Sequence, residues 1–203
     1  MKNYIDINGT RIDLTEEQVR QIADACSQAK CLLADVPVGE CVTIGEYEMI
    51  VLQQLDGQTA LILKDLYCEE TEFAAHDNNY NNSCVDVACC EFGCKLAEIV
   101  GLDNIVLHEV ELTSDDGLKD YGKIARRASS LTAEMCRKFV EILDNFNPEK
   151  YWWLATPYST ERHGNSRWAK CVAPSGGIYD DRYNNSNGVR PFCILKSNIF
   201  VSV

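Results

Sequence analysis

Histidine is scarce in this chain: His76, His108 and His163 are the only three among 203 residues. His108 alternates with apolar residues in IVLHEVEL and reads as structural. His163 lies beside Glu161, Arg162 and Arg167 in a polar loop, where it could titrate or meet a ligand. No G-x-S-x-G elbow is present and no cysteine is patterned with a histidine, so nothing marks a nucleophilic triad. A glycine-rich phosphate loop is also missing. PSGG, residues 174–177, joins two strand-like segments instead of opening a helix, and is expected to be a hairpin turn. No window approaches 18 consecutive apolar residues, so no transmembrane helix is expected. The opening MKNYIDINGTRIDL is polar and alternating and lacks the apolar centre of an export signal, so the expected location is cytoplasmic.

Positive charge is also in short supply. Nineteen Lys and Arg face 31 Asp and Glu, a net charge of −12. The imbalance is uneven: residues 1–150 hold 13 basic against 28 acidic side chains, net −15, and residues 151–203 hold 6 against 3, net +3. Direct nucleic-acid binding is not expected, because phosphate contacts need clustered Lys and Arg. An acidic body suits solubility or docking onto a basic partner. Hydrophobic residues at 46% and charged residues at 25% are ordinary for a globular chain with a real core.

Cysteine is the exception to this scarcity, with eleven residues. Without an export signal a disulfide framework is not expected. The run CVDVACCEFGC falls inside a helical pattern in which Val85, Ala88, Cys89, Phe92, Leu96 and Ile99 form one apolar stripe. Cys89 reads as a small buried hydrophobe. Cys90 and Cys94, four apart, either share a ligand or flank the stripe; no metal or other cofactor is expected. The acidic pairs Asp115-Asp116 and Asp180-Asp181 read as turn residues, since no calcium-loop pattern surrounds them.

The chain divides at Pro37-Val38-Gly39. Residues 1–36 are expected to be an appendage: a hairpin turning at Asn8-Gly9, then a helix opened by a Thr15–Gln18 capping box and running to Asp35 with Val19, Ile22, Ala23, Cys26 and Leu33 on its apolar face. Residues 37–203 form the main domain. It opens with a hairpin turning at Asp56-Gly57, followed by a helix capped by Ser83 and Asp86 and closed by Gly101. A later helix is capped by Thr132, with Met135, Cys136, Phe139, Val140 and Leu143 inward. Four strands should follow: YWWLAT, RWAKCVAP, GGIYDDRY and VRPFCIL, with turns at residues 175–177 and Asn187-Gly188. Helices between β-hairpins give an α+β fold with helices packed on an antiparallel sheet.

In YWWLAT, Trp152 and Trp153 are neighbours and must point to opposite faces of a strand. Both are expected to be scaffold, with the functional surface beyond Pro157. There Tyr158, Arg162, His163, Arg167, Trp168, Arg182, Tyr183, Asn184, Asn185 and Asn187 crowd into loops, and these residue types give rigid contact area and adaptable hydrogen bonding.

YWWLATPYS, AKCVAPSGGI and NGVRPFCIL together resemble the W-W-L-R-[ST]-P … GVRP pattern of a domain-of-unknown-function family common in gut anaerobes and their prophages. VGECVTIGEYEMIVL resembles that family's opening, so the likeness spans roughly residues 38–203. It implies a C-type-lectin-like fold of the formylglycine-generating-enzyme type, shared with the hypervariable ligand-binding proteins of diversity-generating retroelements. The Trp-rich strand would then lie in a central sheet and ligands would meet loops near the C-terminus, with Asn184, Asn185 and Asn187 in a diversified position. Ala155 replaces an Arg common in the family. No paired-cysteine copper site can be placed, although Cys171 and Cys193 are expected on adjacent strands, so no oxidase role is expected. Arg190 is expected to be structural.

The expected function is a non-enzymatic recognition protein of phage or prophage origin, cytoplasmic in a bacterial host or carried on a virion, that binds a protein or small molecule through its C-terminal loops. The alternative is an acidic intracellular inhibitor of a host defence nuclease or effector.

Overall fold

The computed structural model describes residues 4–7, 10–19 and 30–203. Residues 4–7 (β1) and Thr10–Asp13 (β2) pair antiparallel with Tyr4 opposite Asp13, as the hairpin pattern predicts; the Asn8-Gly9 turn itself lies outside the described residues. Thr15 N–H donates to Gln18 Oε1 (2.9 Å) and Gln18 N–H donates to Thr15 Oγ1 (3.2 Å), a complete capping box for the helical residues 16–19. Ile22, Ala23 and Cys26 lie outside the described residues. Residues 30–35 are not α-helical, contrary to expectation. Lys30–Leu32 is a strand (β3), and Leu33 is fully buried in a short 3-10 turn. Burial of Leu33 against strands decides its conformation where helical spacing alone suggested otherwise.

Two sheets make up the main body. The larger has seven antiparallel strands: Cys41–Ile44 (β4), Tyr47–Leu55 (β5) and Gln58–Leu63 (β6), with Ala128–Ser129 (β10), Phe192–Lys196 (β15) and Phe200–Ser202 (β16), in the order β10-β15-β6-β5-β4-β16-β3. The smaller has five strands: Cys68–Glu72 (β7), Trp152–Pro157 (β11), Trp168–Val172 (β12), Ile178–Arg182 (β13) and Ser186–Val189 (β14), in the order β13-β12-β11-β14-β7. All its pairs are antiparallel except β11 with β14, where Trp152 lies opposite Gly188. His108–Glu111 (β8) and Lys123–Arg126 (β9) form a separate two-stranded ribbon. The fold is α+β and mostly antiparallel, with few helices.

Each central strand buries both faces, which explains their near-continuous apolar runs. Along β5, Met49 and Val51 enter one core cluster while Ile50 and Leu52 enter another. Along β11, Trp152 and Leu154 join Ile50, Ile62, Phe192 and Val172, whereas Trp153 and Ala155 join Phe73, Tyr80, Cys89 and Cys171. The pleat thus sends the two tryptophans into different cores, both at 0% exposure. The long helix Cys84–Val100 (α1) spans both sheets: Val85, Ala88 and Cys89 pack with the Trp153 cluster, Phe92 and Leu96 with the Met49 cluster. Ser83 caps it by accepting from Asp86 N–H, and Gly101 closes it at φ 84°. Ile99, expected inside, is 45% exposed and lies against Gly45 of the β4–β5 turn.

The third expected helix is broken in two, Ala133–Lys138 (α2) and Val140–Leu143 (α3), because Phe139 takes φ −104°, ψ 15° to bury its ring. Val140 consequently turns outward. The expected strand VRPFCIL is also split. Val189 ends β14 in the small sheet and Phe192 begins β15 in the large one, so Arg190 and Pro191 form the crossing. Asn187 and Gly188 lie within β14 and are not a turn. Cys171 (β12) and Cys193 (β15) therefore sit in different sheets, not on adjacent strands.

Arg190 holds the crossing. It is fully buried and donates from Nε to Leu63 O (2.8 Å) and from Nη2 to Lys64 O and Phe146 O (both 2.9 Å), with its guanidinium carbon 5.4 Å from the Trp152 ring centroid. Burial lowers its pKa to about 10, so it stays charged at neutral pH. Arg190→Lys cannot reproduce the planar fork. Both Arg190→Lys and Arg190→Ala should lose about 3 kcal/mol or more in urea unfolding, because buried carbonyls are left without donors. His108, by contrast, is half-buried and neutral. Its Nε2 lies 3.0 Å from Ser129 Oγ, its ring stands edge-on to Phe192, and burial lowers its pKa from 6.5 to about 4. Its contribution is complete above pH 6.5 and is lost as pH falls through about 4. His108→Gln should flatten the fall in melting temperature across that window relative to wild type.

Candidate functional site

Beyond Pro157 the chain leaves the sheet, makes the short turn Glu161–His163 and returns as β12 at Trp168. Tyr158 N–H donates to Trp168 O (2.9 Å) and closes the neck of this loop. Asn78, fully buried, pins it from outside, donating to Ser159 O (2.9 Å) and Trp168 O (2.6 Å) while accepting from Tyr121 Oη–H (2.8 Å).

A second loop, residues 113–121, clamps the first through two carboxylates. Asp116 accepts from Ser159 Oγ–H (2.6 Å) and Ser114 Oγ–H (2.5 Å), and His163 Nδ1 lies 2.8 Å from its Oδ2. Asp120 accepts from Thr160 Oγ1–H (2.6 Å) and forms an ion pair with Arg162. Each carboxylate thus takes one hydroxyl and one basic side chain from the sequence STERH. Arg162 and His163, expected to face a ligand, are therefore engaged within the protein. The Ser114 and Ser159 hydroxyls, with His163 behind them, hold the Asp116 carboxyl well below the usual carboxylate range.

The other expected residues meet on the β12–β13 pair. Three cross-strand pairs share one face: Trp168 with Arg182, Lys170 with Asp180, and Val172 with Ile178. The Arg182 guanidinium carbon sits 5.4 Å from the Trp168 ring centroid. Lys170, only 7% exposed, has Asp180 Oδ1 at 2.6 Å and Asp115 Oδ2 at 3.2 Å, and lies over the Tyr158 ring at 5.7 Å. Burial alone would lower the Lys170 pKa, but the two carboxylates outweigh it and raise it, so the ammonium is fixed. The result is a depression of about 460 Å³ lined by Tyr158, Asn165, Trp168, Ile178, Tyr179 and Asp180.

Asp180 and Asp181 prove to be strand residues, not turn residues. Asp181 organises the next loop, accepting from Asn185 Nδ2–H (2.6 Å), Asn187 Nδ2–H (3.0 Å) and Arg182 N–H (2.8 Å). Asn187 is 8% exposed and faces Asp181, so its side chain is not available to a ligand. Tyr183 is half-buried against the Trp153 core, and Asn184 and Arg167 are exposed. Tyr158, Trp168 and Arg182 thus come together, while Arg162, His163 and Asn187 are turned to internal use. Asn78, Asp116, Asp120 and Lys170 were missed from the sequence. Their only signal was polar character in loops, or alternation within a strand.

Four of the described cysteines, Cys89, Cys136, Cys171 and Cys193, are buried. Burial pushes Cys89, Cys171 and Cys193 up to about 12 and Cys136 to about 11. Cys90 is raised by burial and by Asp86, which forms an ion pair with Arg126 (2.8 Å). Among the described residues no group of three or more His, Cys, Asp or Glu is placed to hold a metal ion, and no helix is long and apolar enough to cross a membrane. Comparison with protein families, curated proteins and solved structures finds no match to this chain.

The clamp has a pH signature. A carboxyl with a lowered folded pKa stabilises above its unfolded value of about 4, and that stabilisation disappears as pH falls below it. Asp116→Asn should lower the melting temperature at pH 7, and the gap from wild type should close as pH drops below about 4. Because Asp116 is 34% exposed, the effect should also shrink in high salt.

Proposed function

We propose that this chain is a non-enzymatic recognition protein that binds a protein or small-molecule ligand at the Tyr158–Trp168–Arg182 surface. One observation carries the reading: an exposed aromatic–cation ledge around an open depression, built on paired strands and braced from below by the buried Lys170. Aromatic and Arg side chains held rigid lose little entropy on binding and dominate contact energies. The buried thiols Cys89, Cys136, Cys171 and Cys193, held protonated, are poor nucleophiles.

The likeness to the prophage family extends this reading to a C-type-lectin-like fold and a phage or prophage origin. It is supported by the Trp-rich strand β11 at the centre of the five-stranded sheet, with the loops after it forming the ledge. Asn184 and Asn185, at the loop tip, are the positions in that reading where relatives would vary.

A second reading, an acidic inhibitor of a host defence effector, draws on β7. This edge strand carries Glu69, Glu70 and Glu72, with Glu69 and Glu70 side chains 73% and 76% exposed. Capture from bacterial host lysate separates the two. A partner that stays bound in about 0.5 M salt, beyond the range of surface electrostatics, and is lost at least tenfold in Trp168→Ala/Arg182→Ala supports the ledge. A partner released by salt and by Glu69→Gln/Glu70→Gln, but indifferent to the ledge variant, supports the acidic edge.

A further inference from the structure

The recognition reading leaves the ligand's chemistry open, and the hydrogen bonding of β13 narrows it. Tyr183 N–H donates to Arg167 O (3.0 Å) at one end of the β12–β13 ladder, and Ala173 N–H donates to Gly177 O (2.9 Å) at the other. Antiparallel ladders alternate bonded and non-bonded pairs. Residues 179 and 181 therefore exchange main-chain bonds with β12, and Ile178, Asp180 and Arg182 point theirs away from it. β13 is the last strand of its sheet, so these groups meet open space. The turn consumes those of Arg182, whose N–H donates to Asp181 Oδ1 (2.8 Å) and whose C=O accepts from Asn185 N–H (2.9 Å). Among the described residues the N–H and C=O of Ile178 and Asp180 have no partner.

Open sheet edges are normally blunted, and the other edges of the two main sheets are. β7 carries its exposed glutamates, and β3 and β10 are only three and two residues long. β13 has five residues in unbroken register. Its own acids are engaged internally, Asp180 in an ion pair with Lys170 and Asp181 in hydrogen bonds from Asn185 and Asn187 of the following turn. Arg167 and Arg182 flank it, and among the described residues neither has a carboxylate within ion-pair distance.

We propose, resting on the recognition reading, that the ligand is an extended peptide segment of a partner protein that adds to β13 as a sixth strand. It forms up to four main-chain hydrogen bonds with Ile178 and Asp180. Side chains alternate along a strand, so on the Trp168 face one apolar or aromatic side chain enters the 460 Å³ depression beside Tyr158 and Trp168, and an acidic side chain on that same face meets Arg182. Because Arg182 is already tied to its turn, the added strand is short and is anchored by side chains at that end.

The test uses random twelve-residue peptides displayed on phage and selected against the full-length protein, with the enriched peptides then synthesised. Enriched sequences should pair an acid with an apolar or aromatic residue. Asp180→Ala removes a carboxylate but keeps the outward N–H, whereas Asp180→Pro removes both and is tolerated at an edge. Asp180→Pro should bind at least tenfold more weakly than Asp180→Ala at equal melting temperature. N-methylation of alternate peptide residues should abolish binding and methylation of the intervening ones should not, which tests the ladder even if the proline variant unfolds. Equal binding by the two Asp180 variants, with insensitivity to N-methylation, overturns strand addition but leaves the ledge intact provided Trp168→Ala/Arg182→Ala still fails to bind. Peptides indifferent to every one of these changes overturn both readings. No enrichment, or a concentration-dependent dimer lost in Asp180→Pro, overturns the peptide proposal.

Discussion

The guanidinium of Arg190 is the constraint on which this architecture turns. The last third of the chain must serve two sheets, and it passes between them in the two residues from Val189 to Phe192. A crossing that short leaves main-chain carbonyls of Leu63, Lys64 and Phe146 buried without partners. One planar fork supplies them all. Around it, Gly188 lets β14 approach closely, since a Cβ there would stand 2.5 Å from Leu66 Cδ1. Val189 O accepts from Tyr67 N–H and Pro191 O from Leu63 N–H. The string Gly188-Val189-Arg190-Pro191 is thus one device: close approach, ladder bond, buried donor fork, ladder bond.

The ledge depends on that device through Trp152. With Trp152 fixed under Arg190, β11 is held at the middle of the small sheet, and β12 and β13 take their register from it. Carboxylates do the rest: Asp115 and Asp180 fix Lys170, Asp116 and Asp120 fix the 159–163 loop, and Asp181 fixes the following turn. Much of the acidity of this part of the molecule is therefore spent inside the structure rather than offered to a partner.

Legibility in the sequence followed the range of the interaction. Short-range signals succeeded: the Thr15–Gln18 box, the Ser83 cap, the Gly101 terminus and the Asp56-Gly57 hairpin are all set by neighbours a few residues apart. The division of Trp152 and Trp153 between two cores followed from the pleat alone. Failures came where distant chain decided the outcome. Leu33 obeys strands more than 150 residues away, Phe139 breaks a helix to reach a core, and the split of VRPFCIL needs a second sheet that no local pattern announces. Residue types indicated a polar loop surface, and Tyr158, Trp168 and Arg182 do lie together on it. Arg162 and His163 looked equally suited, because a partner carboxylate 40-odd residues upstream leaves no trace in local spacing; Asn187 is held by Asp181, six residues before it, once that stretch becomes two strands and a turn.

The placement of the final strands has a consequence for biosynthesis. β14 lies inside the small sheet, and β15 and β16 lie inside the large one. While the chain is still being made, neither sheet can close, and apolar strands such as β5, β6 and β11 wait with both faces uncovered. Such contacts of high sequence separation form late, and the waiting intermediate is prone to aggregate. Both sheets therefore stay incomplete until residues 186–202 have been made, and loss of that segment would leave two unfinished sheets rather than a slightly smaller protein.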